Sequence, residues 1–233
     1  MKYLKAVTFS FDDGHTVDRK LIEILNKYNL KATINLNSGT MVRYCGWRYK
    51  GNDYFKLEPD EAKELYKGHE IASHGLCHGA LMKLNDENVD KEIKCDIEFL
   101  EEIFGQKIEG FVYACGNYDE RTLAKLKECG IKYARKVQTT KSYALPCCDM
   151  LECEYSFCVD SCLDSEDFCK VVDDFLNSTD NEPKLLSLWG HAFAQDGNQL
   201  WDKFEQLCQK ISGKNDILYG TNSEVFKNFG LIE

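Results

Sequence analysis

The chain has 233 residues, enough to bury a substantial core, and we expect one domain over residues 1–233. Its 29 basic and 39 acidic residues give a formal net charge of −10 at pH 7, which disfavours nucleic acid and anionic membranes as partners. The sequence has no apolar stretch of about 18 residues, so it predicts no membrane span. It begins directly with a strand pattern and shows no signal-peptide pattern, so we expect a cytoplasmic protein.

Strand-like and helix-like segments alternate along the chain, as is typical of β/α proteins. The predicted strands are residues 5–11, 32–37, 70–73, 110–114, 131–135, 151–157, 185–189 and 217–219. The predicted helices are approximately residues 17–28, 59–67, 86–104, 119–130, 165–177 and 200–211. Such a succession predicts seven to eight parallel strands closed into a (β/α) barrel, with an open doubly wound sheet as the alternative. Glycine-rich nucleotide-binding motifs are absent from the sequence.

Two segments, 38–57 and 139–162, are expected to be long and irregular. The first contains several aromatic residues, including Trp47 and Tyr49. At the mouth of a barrel such side chains could stack on sugar rings as a substrate rim. The alternative is that they pack together as a small satellite cluster.

The chain has 12 cysteines, which is a high count. Without a leader we expect mostly reduced thiols. A structural zinc site is an alternative, although the spacing lacks a C-x2-C pair. That site would draw on Cys147, Cys148, Cys153, Cys158 and Cys162.

Residues of the types that bind metals follow three of the predicted strands. Asp12 and Asp13 end the first strand pattern, His74 and His78 follow the third, and His191 follows the seventh. In a β/α protein the strand exits gather at one end, where catalytic groups are usually found. The pattern therefore predicts one metal centre with an acid and a base beside it.

Within this group, Asp13, His74 and His78 form a two-histidine, one-carboxylate set. Such a set suits a divalent metal, with Zn²⁺ as the first choice and Co²⁺, Ni²⁺, Fe²⁺ or Mn²⁺ as alternatives. Adjacent like charges oppose joint ionisation, so Asp12 and Asp13 are expected to divide the work, one as base and one as ligand. An ordinary turn or a pair of surface histidines is the competing interpretation.

The two remaining histidines are expected to lie outside the metal set. His69 precedes the third strand and should be structural, at the end of the barrel away from the site. His15 lies near the acids and is expected at the rim or as a capping residue.

Four segments resemble a known family in the family's own order. Thr8–Gly14, read T-F-S-F-D-D-G, is similar to the T-F-D-D-G signature of the polysaccharide deacetylases, the NodB-homology domain of carbohydrate esterase family 4. The segment 73–78 resembles the H-[ST]-x-x-H signature, 111–119 the third motif, and 186–191 the last motif, L-x-x-H. The resemblance covers almost the whole chain.

The resemblance implies a distorted, NodB-like (β/α) barrel and metal-dependent removal of acetyl groups from sugars. By position it makes Asp12 the general base and His191 the general acid, with the metal bound by Asp13, His74 and His78. A backbone N–H near Cys115 would hold the oxyanion. Each role agrees with the chemistry that these side chains support.

Two family features are not matched. The third motif usually begins with an arginine that orients the base, and the aligned residue here is Val112; the usual proline is Ala114. Arg135 and Lys136 are the candidates to replace the arginine. The fourth motif is not recognisable within 139–162.

The leading hypothesis is therefore a hydrolase that removes N- or O-acetyl groups from an amino sugar, oligosaccharide or polysaccharide. The expected partner is an acetylated sugar, with neither nucleic acid nor membrane as a partner. Amide hydrolysis on a small non-sugar substrate is one alternative. A catalytically weak carbohydrate-binding protein is the other.

Overall fold

A sheet of parallel strands, nearly closed into a barrel and surrounded by helices, confirms the predicted fold. The computed structural model describes residues 2–42 and 44–233. Its strands are β1 Lys5–Asp12, β2 Ala32–Leu36, β3 Gly46–Tyr49, β4 Asn52–Phe55, β5 Glu70–Ser73, β6 Gly110–Val112, β7 Tyr133–Thr139, β8 Cys153–Tyr155, β9 Phe157–Cys158, β10 Lys184–Gly190 and β11 Ile217–Tyr219.

The main sheet runs in the order β8-β7-β6-β5-β2-β1-β10-β9. The segment from β8 to β9 links its two ends, because β8 pairs with β7 and β9 pairs with β10. Between them, Ser156 donates its N–H to the carbonyl of Ser187 at 2.8 Å. The predicted strand 151–157 is therefore two short strands that bridge the barrel.

β1 is the central strand, and all of its residues are buried. One edge pairs with β10 along nearly its full length. The other edge pairs first with β11 and then, from Phe9 onward, with β2. Phe9 and Phe11 both pack edge-on against Phe204, so β1 anchors the apolar core as well as the sheet.

The six predicted helices are present, mostly with shorter bounds, whereas the helices Val159–Cys162, Ala192–Gly197 and Asn222–Phe229 were not predicted. They are α1 Asp18–Lys27, α2 Pro59–Leu65, α3 Asp86–Asp90, α4 Asp96–Phe104, α5 Glu120–Glu128, α6 Val159–Cys162, α7 Glu166–Asn177, α8 Ala192–Gly197, α9 Trp201–Ile211 and α10 Asn222–Phe229. Short 3₁₀ turns occur at Ser38–Thr40, Leu81–Lys83, Ala114–Gly116 and Met150–Glu152. None of the helices in the described residues has the length and apolar character to cross a membrane.

The predicted helix 86–104 contains a π-helical turn, Lys91–Cys95, between α3 and α4. Its ends match the sequence signals: the Asn85 side chain accepts from the N–H of Asn88, and Gly105 ends the helix at φ +64°. π-turns inside helices are frequent at functional sites. This one points Glu92 toward the loop that carries His74 and His78, as described below.

The segment 38–57, expected to be irregular, contains an antiparallel hairpin of β3 and β4. Lys50 and Gly51 both have positive φ, +47° and +88°, which is the geometry of a tight two-residue turn. The sequence gives a weak signal for it, because lysine is an unusual residue at the first position. The hairpin docks on the loop after β1, where Thr16 donates to Phe55 at 2.8 Å and Leu57 donates to Gly14 at 2.9 Å.

His69 has the structural role that the sequence predicts. Its Nδ1 accepts a hydrogen bond from the N–H of Ala32 at 3.1 Å, before the start of β5. It therefore ties the beginnings of β2 and β5 together, at the opposite end of the strands from His74.

We predict that Gly110→Ala destabilises the barrel by about 1–3 kcal/mol, the usual cost of overpacking. A methyl group at this position would overlap the ring of Tyr133, whose hydroxyl donates to Glu70 at 2.9 Å. Urea unfolding should show the loss, and the cost should shrink in a Tyr133→Leu background. Equal costs in the two backgrounds would contradict this explanation.

Candidate active site

The predicted ligand residues meet at the exits of β1 and β5. One ligand atom from each of Asp13, His74 and His78 lies within 4.8 Å of the others. Nε2 of His78 is 4.0 Å from Oδ1 of Asp13, and the two imidazole rings are 4.7 Å apart. The sequence-based grouping of these three residues is therefore present in the fold.

The backbone at this site is locally strained. Asp13 and His78 have φ of +83° and +59°, in a region that non-glycine residues enter at a cost of about 1–3 kcal/mol each. In the loop that carries His78, the Glu92 carboxylate offsets this cost by accepting hydrogen bonds from the N–H groups of Cys77 and Gly79, at 2.8 and 2.7 Å. Strain held by hydrogen bonds in this way is characteristic of functional sites.

His74 is oriented by a backbone carbonyl. Its Nδ1 lies 2.8 Å from the carbonyl oxygen of Val112, the residue aligned with the family's missing arginine. Burial lowers the pKa of His74 to about 4, so the ring is neutral at pH 7. A neutral ring that donates from Nδ1 leaves Nε2 free for a metal.

The Asp13 carboxylate is suited to a cation. Its side chain is buried, and within the described part of the chain Oδ2 has no hydrogen-bond partner. Burial alone would raise the pKa of Asp13, but the charge of Lys56 and of the neighbouring histidines lowers it below its usual value. An ionised, buried carboxylate beside two imidazoles fits a divalent metal such as Zn²⁺.

Asp12 is held by an arginine and an asparagine. Nη2 of Arg135 donates to both carboxylate oxygens, at 2.7 and 2.5 Å, and Nδ2 of Asn35 donates to Oδ1 at 2.7 Å. Burial raises the pKa of Asp12, yet the charge of Arg135 and of the nearby histidines keeps it below its ordinary value. Asp12 is therefore ionised.

Arg135 is the replacement candidate that reaches Asp12. It is fully buried, with its guanidinium 4.2 Å from the centre of the Trp189 ring. Lys136 instead pairs with Glu154 at 3.0 Å. Arg135 is therefore a buried partner of Asp12 and not a solvated charge at the rim.

His191 is oriented by Asp160, a residue that the sequence analysis missed. Nδ1 of His191 lies 2.6 Å from Oδ2 of Asp160, and the His191 N–H donates to Oδ1 at 3.0 Å. Nε2 of His191 faces Asp12, 3.7 Å from its Oδ2. Asp160 follows β9, so it is another acid at a strand exit, and recognising the second half of the split strand would have revealed it.

The environment of His191 favours the protonated ring. Partial burial would lower the pKa, but the hydrogen bond and charge of Asp160, with the charges of Asp12 and Asp13, raise it to about 9. The site thus pairs an ionised carboxylate with a protonated imidazole.

Cys115 lies in the short turn Ala114–Gly116, which follows β6. It has φ +55°, and Gly116 follows with φ +69°. The predicted role of its backbone N–H as an oxyanion donor remains a prediction.

The aromatic residues of the hairpin lie close to the candidate metal ligand His78 and to His191. The Trp47 ring is 6.5 Å from His78 and 4.8 Å from Phe193, whose ring is 5.0 Å from His191. Trp47 is 42% exposed, as expected for a substrate rim. Tyr49 is half-buried and packs on Phe193, so it belongs more to a supporting cluster.

His15 is not at the rim, which was one of the two positions expected from the sequence. It is 1% exposed, and its ring lies 5.4 Å from Trp47 and 5.3 Å from Phe193. The hairpin covers it, which the sequence could not show because the hairpin itself was not predicted.

The five cysteines do not form the alternative zinc site. Across residues 2–42 and 44–233, the three-ligand group at β1 and β5 is the only cluster of histidine, cysteine and acidic side chains close enough for a metal. The cysteines are all free thiols, and Cys153 and Cys162 are buried as small apolar residues.

A nearly closed β/α barrel with paired carboxylates and histidines at its strand exits has the architecture of a barrel hydrolase. The polysaccharide deacetylase family model matches residues 3–134, more than half of the sequence. The chain belongs to this family, which confirms the resemblance. No curated protein matches the chain.

Solved structures show the same fold. A polysaccharide deacetylase from Mycobacterium smegmatis aligns with a TM-score of 0.67 and 18% identity, over 99% of this chain and 92% of that one. A Streptococcus pyogenes deacetylase in complex with acetate aligns with a TM-score of 0.53 and 22% identity, over 61% of this chain and 60% of its own length. A family 4 pseudoenzyme from Bacillus anthracis gives 0.55 and 12%, over 94% and 64%.

We predict that Asp160→Asn moves the basic limb of the pH–rate profile to lower pH. The acid His191 must be protonated, and Asp160 provides the largest contribution that raises its pKa. Without the carboxylate the ring loses its proton at lower pH, so activity falls earlier as the pH rises. Gln195→Ala, which removes only a donor to Asp160 at 2.9 Å, is the control. An unmoved basic limb in Asp160→Asn would refute the assignment of His191 as the acid.

Arg135→Met should lower kcat and move the acidic limb to higher pH. The base Asp12 must be ionised, and loss of the neighbouring cation raises its pKa. Arg135→Lys keeps the charge and should leave the acidic limb closer to that of the wild type. The pH–rate profiles of the two variants decide the question, and identical profiles for Met and wild type would show that Arg135 does not support the base.

Proposed function

We propose that this protein is a metal-dependent deacetylase that releases acetyl groups from an amino sugar, oligosaccharide or polysaccharide. The observation that carries the proposal is the position of Asp12, between the Arg135 guanidinium and the His191 ring and next to the ligand residue Asp13. In this proposal Asp12 is the base, His191 is the acid and Asp13 is a metal ligand, and the short distances between them support it. We also propose a cytoplasmic location.

Asp13, His74 and His78 are the residues that would hold the divalent cation, with Zn²⁺ as our choice. When bound there, the cation supplies Lewis acidity toward the acetyl carbonyl and lowers the pKa of water. A lowered pKa of the attacking water is consistent with the lowered pKa of Asp12. A carboxylate with a lowered pKa is a weak base, and it can serve only if the attacking water is unusually acidic.

In the proposed reaction, Asp12 accepts the proton of the attacking water while Arg135 and Asn35 keep its carboxylate in place. The backbone N–H of Cys115 stabilises the negative charge that develops on the acetyl oxygen. His191, held by Asp160, then donates its proton to the departing sugar nitrogen or oxygen. Acetate and the free amino or hydroxyl group are the products.

A sugar substrate is favoured by the exposed aromatic surface beside the site. Trp47 on the hairpin is 42% exposed, and its ring lies 6.5 Å from that of His78. Flat aromatic faces at a site edge suit the apolar faces of sugar rings. A small non-sugar amide would not need such a surface.

The deciding experiment measures acetate release from N-acetylglucosamine, acetylated chito-oligosaccharides, peptidoglycan fragments and acetylated xylan, with and without a chelator. We expect release from at least one sugar, loss with the chelator, and recovery on adding Zn²⁺.

His74→Ala should lose both metal and activity, because one of three protein ligands is gone. Asp12→Asn should keep the metal while kcat falls by about 10²–10⁴-fold.

Each alternative gives a different result. Activity on small amides but on no sugar would indicate the non-sugar hydrolase. Sugar binding without acetate release, in a chain loaded with Zn²⁺, would indicate the catalytically weak binding protein. Either result would contradict the proposal.

A further inference from the structure

A lysine is buried directly against one of the candidate metal ligands. Lys56 follows β4, and its side chain is only 7% exposed. Its ammonium donates to the backbone carbonyl of Asp13 at 2.6 Å and to the carboxylate oxygen Oδ1 at 3.1 Å. Burying a charge is costly unless it is paired, so the lysine and Asp13 stabilise each other.

Backbone hydrogen bonds at Lys56 and at the next residue hold the backbone from which the lysine side chain extends toward Asp13. The Lys56 N–H donates to Cys45 at 2.7 Å, and the N–H of the next residue, Leu57, donates to Gly14 at 2.9 Å. Lys56 also forms a β-bridge with His15. The hairpin therefore holds Lys56 against the loop that carries Asp13.

The same ammonium is linked to the histidine-bearing loop. It lies 3.5 Å from Oδ1 of Asn37, whose side-chain nitrogen donates to the carbonyls of His74 and Gly75 at 2.7 Å each. Lys56 thus connects the two loops that carry the metal ligands. The Lys56 ammonium therefore puts a positive charge between these two loops.

We propose that Lys56 is a positioning residue of the metal centre that shares the Asp13 carboxylate with the bound cation and thereby weakens divalent-metal binding. The inference rests on the metal centre proposed above. In the absence of metal, the ammonium holds the Asp13 carboxylate in place through its hydrogen bonds to Oδ1 and to the backbone carbonyl. When a divalent cation binds, two positive charges face one carboxylate in a poorly solvated site and repel each other.

A purely supporting role for Lys56 predicts the opposite sign. If the lysine only fixed the loops, its loss would misplace Asp13 and Asn37, and the metal would bind more weakly. If its charge competes with the metal, its loss makes binding tighter. The direction of the change in Kd therefore separates the two roles without any measurement of activity.

The test compares the Kd for Zn²⁺ of wild type, Lys56→Gln and Lys56→Arg, by competition with a chromophoric chelator at fixed pH and salt. Gln keeps an N–H donor without the charge, and we expect Zn²⁺ to bind at least about tenfold more tightly. Arg keeps the charge and should bind within about threefold of wild type. Without metal, Lys56→Gln should melt at a lower temperature and gain more on adding Zn²⁺.

Lys5→Met is the matched control. Lys5 is another well-buried lysine of the β1 region, paired with Asp216 at 2.7 Å at the opposite end of the strand. Its loss should lower stability and leave the Zn²⁺ affinity unchanged.

The possible failures are distinguishable. Unchanged or weaker Zn²⁺ binding by Lys56→Gln would overturn the role of Lys56, and so would a variant that stays unfolded even with Zn²⁺ present. A wild-type chain that binds no Zn²⁺ would instead refute the proposed metal centre. Zn²⁺ binding without acetate release would refute the deacetylase function and leave the role of Lys56 intact.

Discussion

The site depends on two neighbouring carboxylates being ionised while buried at the end of one strand. Asp12 and Asp13 are each almost fully buried, and adjacent like charges in such a place repel strongly. The fold resolves this by giving each acid its own cation, Arg135 from β7 and Lys56 from the end of the hairpin. Because the cations arrive from different elements, the two acids differ in their surroundings and can take different roles.

The division extends to the histidines. Burial keeps His74 neutral, which a metal ligand requires, while Asp160 favours the charged form of His191, which an acid requires. The side chains are chemically identical, and only their partners differ. Perturbed pKa values of opposite direction within one cleft are characteristic of catalytic sites.

The sequence was informative where a signal lies within one strand or helix, or at the end of a predicted strand. Strand periodicity predicted the barrel, and the acids and histidines at strand exits predicted the ligand set, because parallel strands bring their exits together. The contact between Arg135 and Asp12 was also accessible, since their strands lie in the same sheet. Signals of this kind need only the order of the strands.

The misses arose where distant segments pair. The hairpin lacks a strong turn sequence. The sequence therefore could not predict that Lys56 is held against Asp13, or that the hairpin covers His15. Asp160 was missed because β8 and β9 read as one strand, although each pairs with a different partner. The π-turn that directs Glu92 leaves no mark in the periodicity of a helix of this length.

The bridge from β8 to β9 has a consequence for how the site assembles. The three ligand residues all come from the first 78 residues, whereas Arg135, Asp160 and His191 come from the second half of the chain. Asp160 follows β9, so its contact with His191 depends on the pairing of β9 with β10. A chain in which the β9–β10 pairing is disrupted would keep the loops that carry Asp13, His74 and His78, and would lose the alignment of His191. The residues proposed to bind the cation and those proposed to transfer the proton therefore depend on different parts of this architecture.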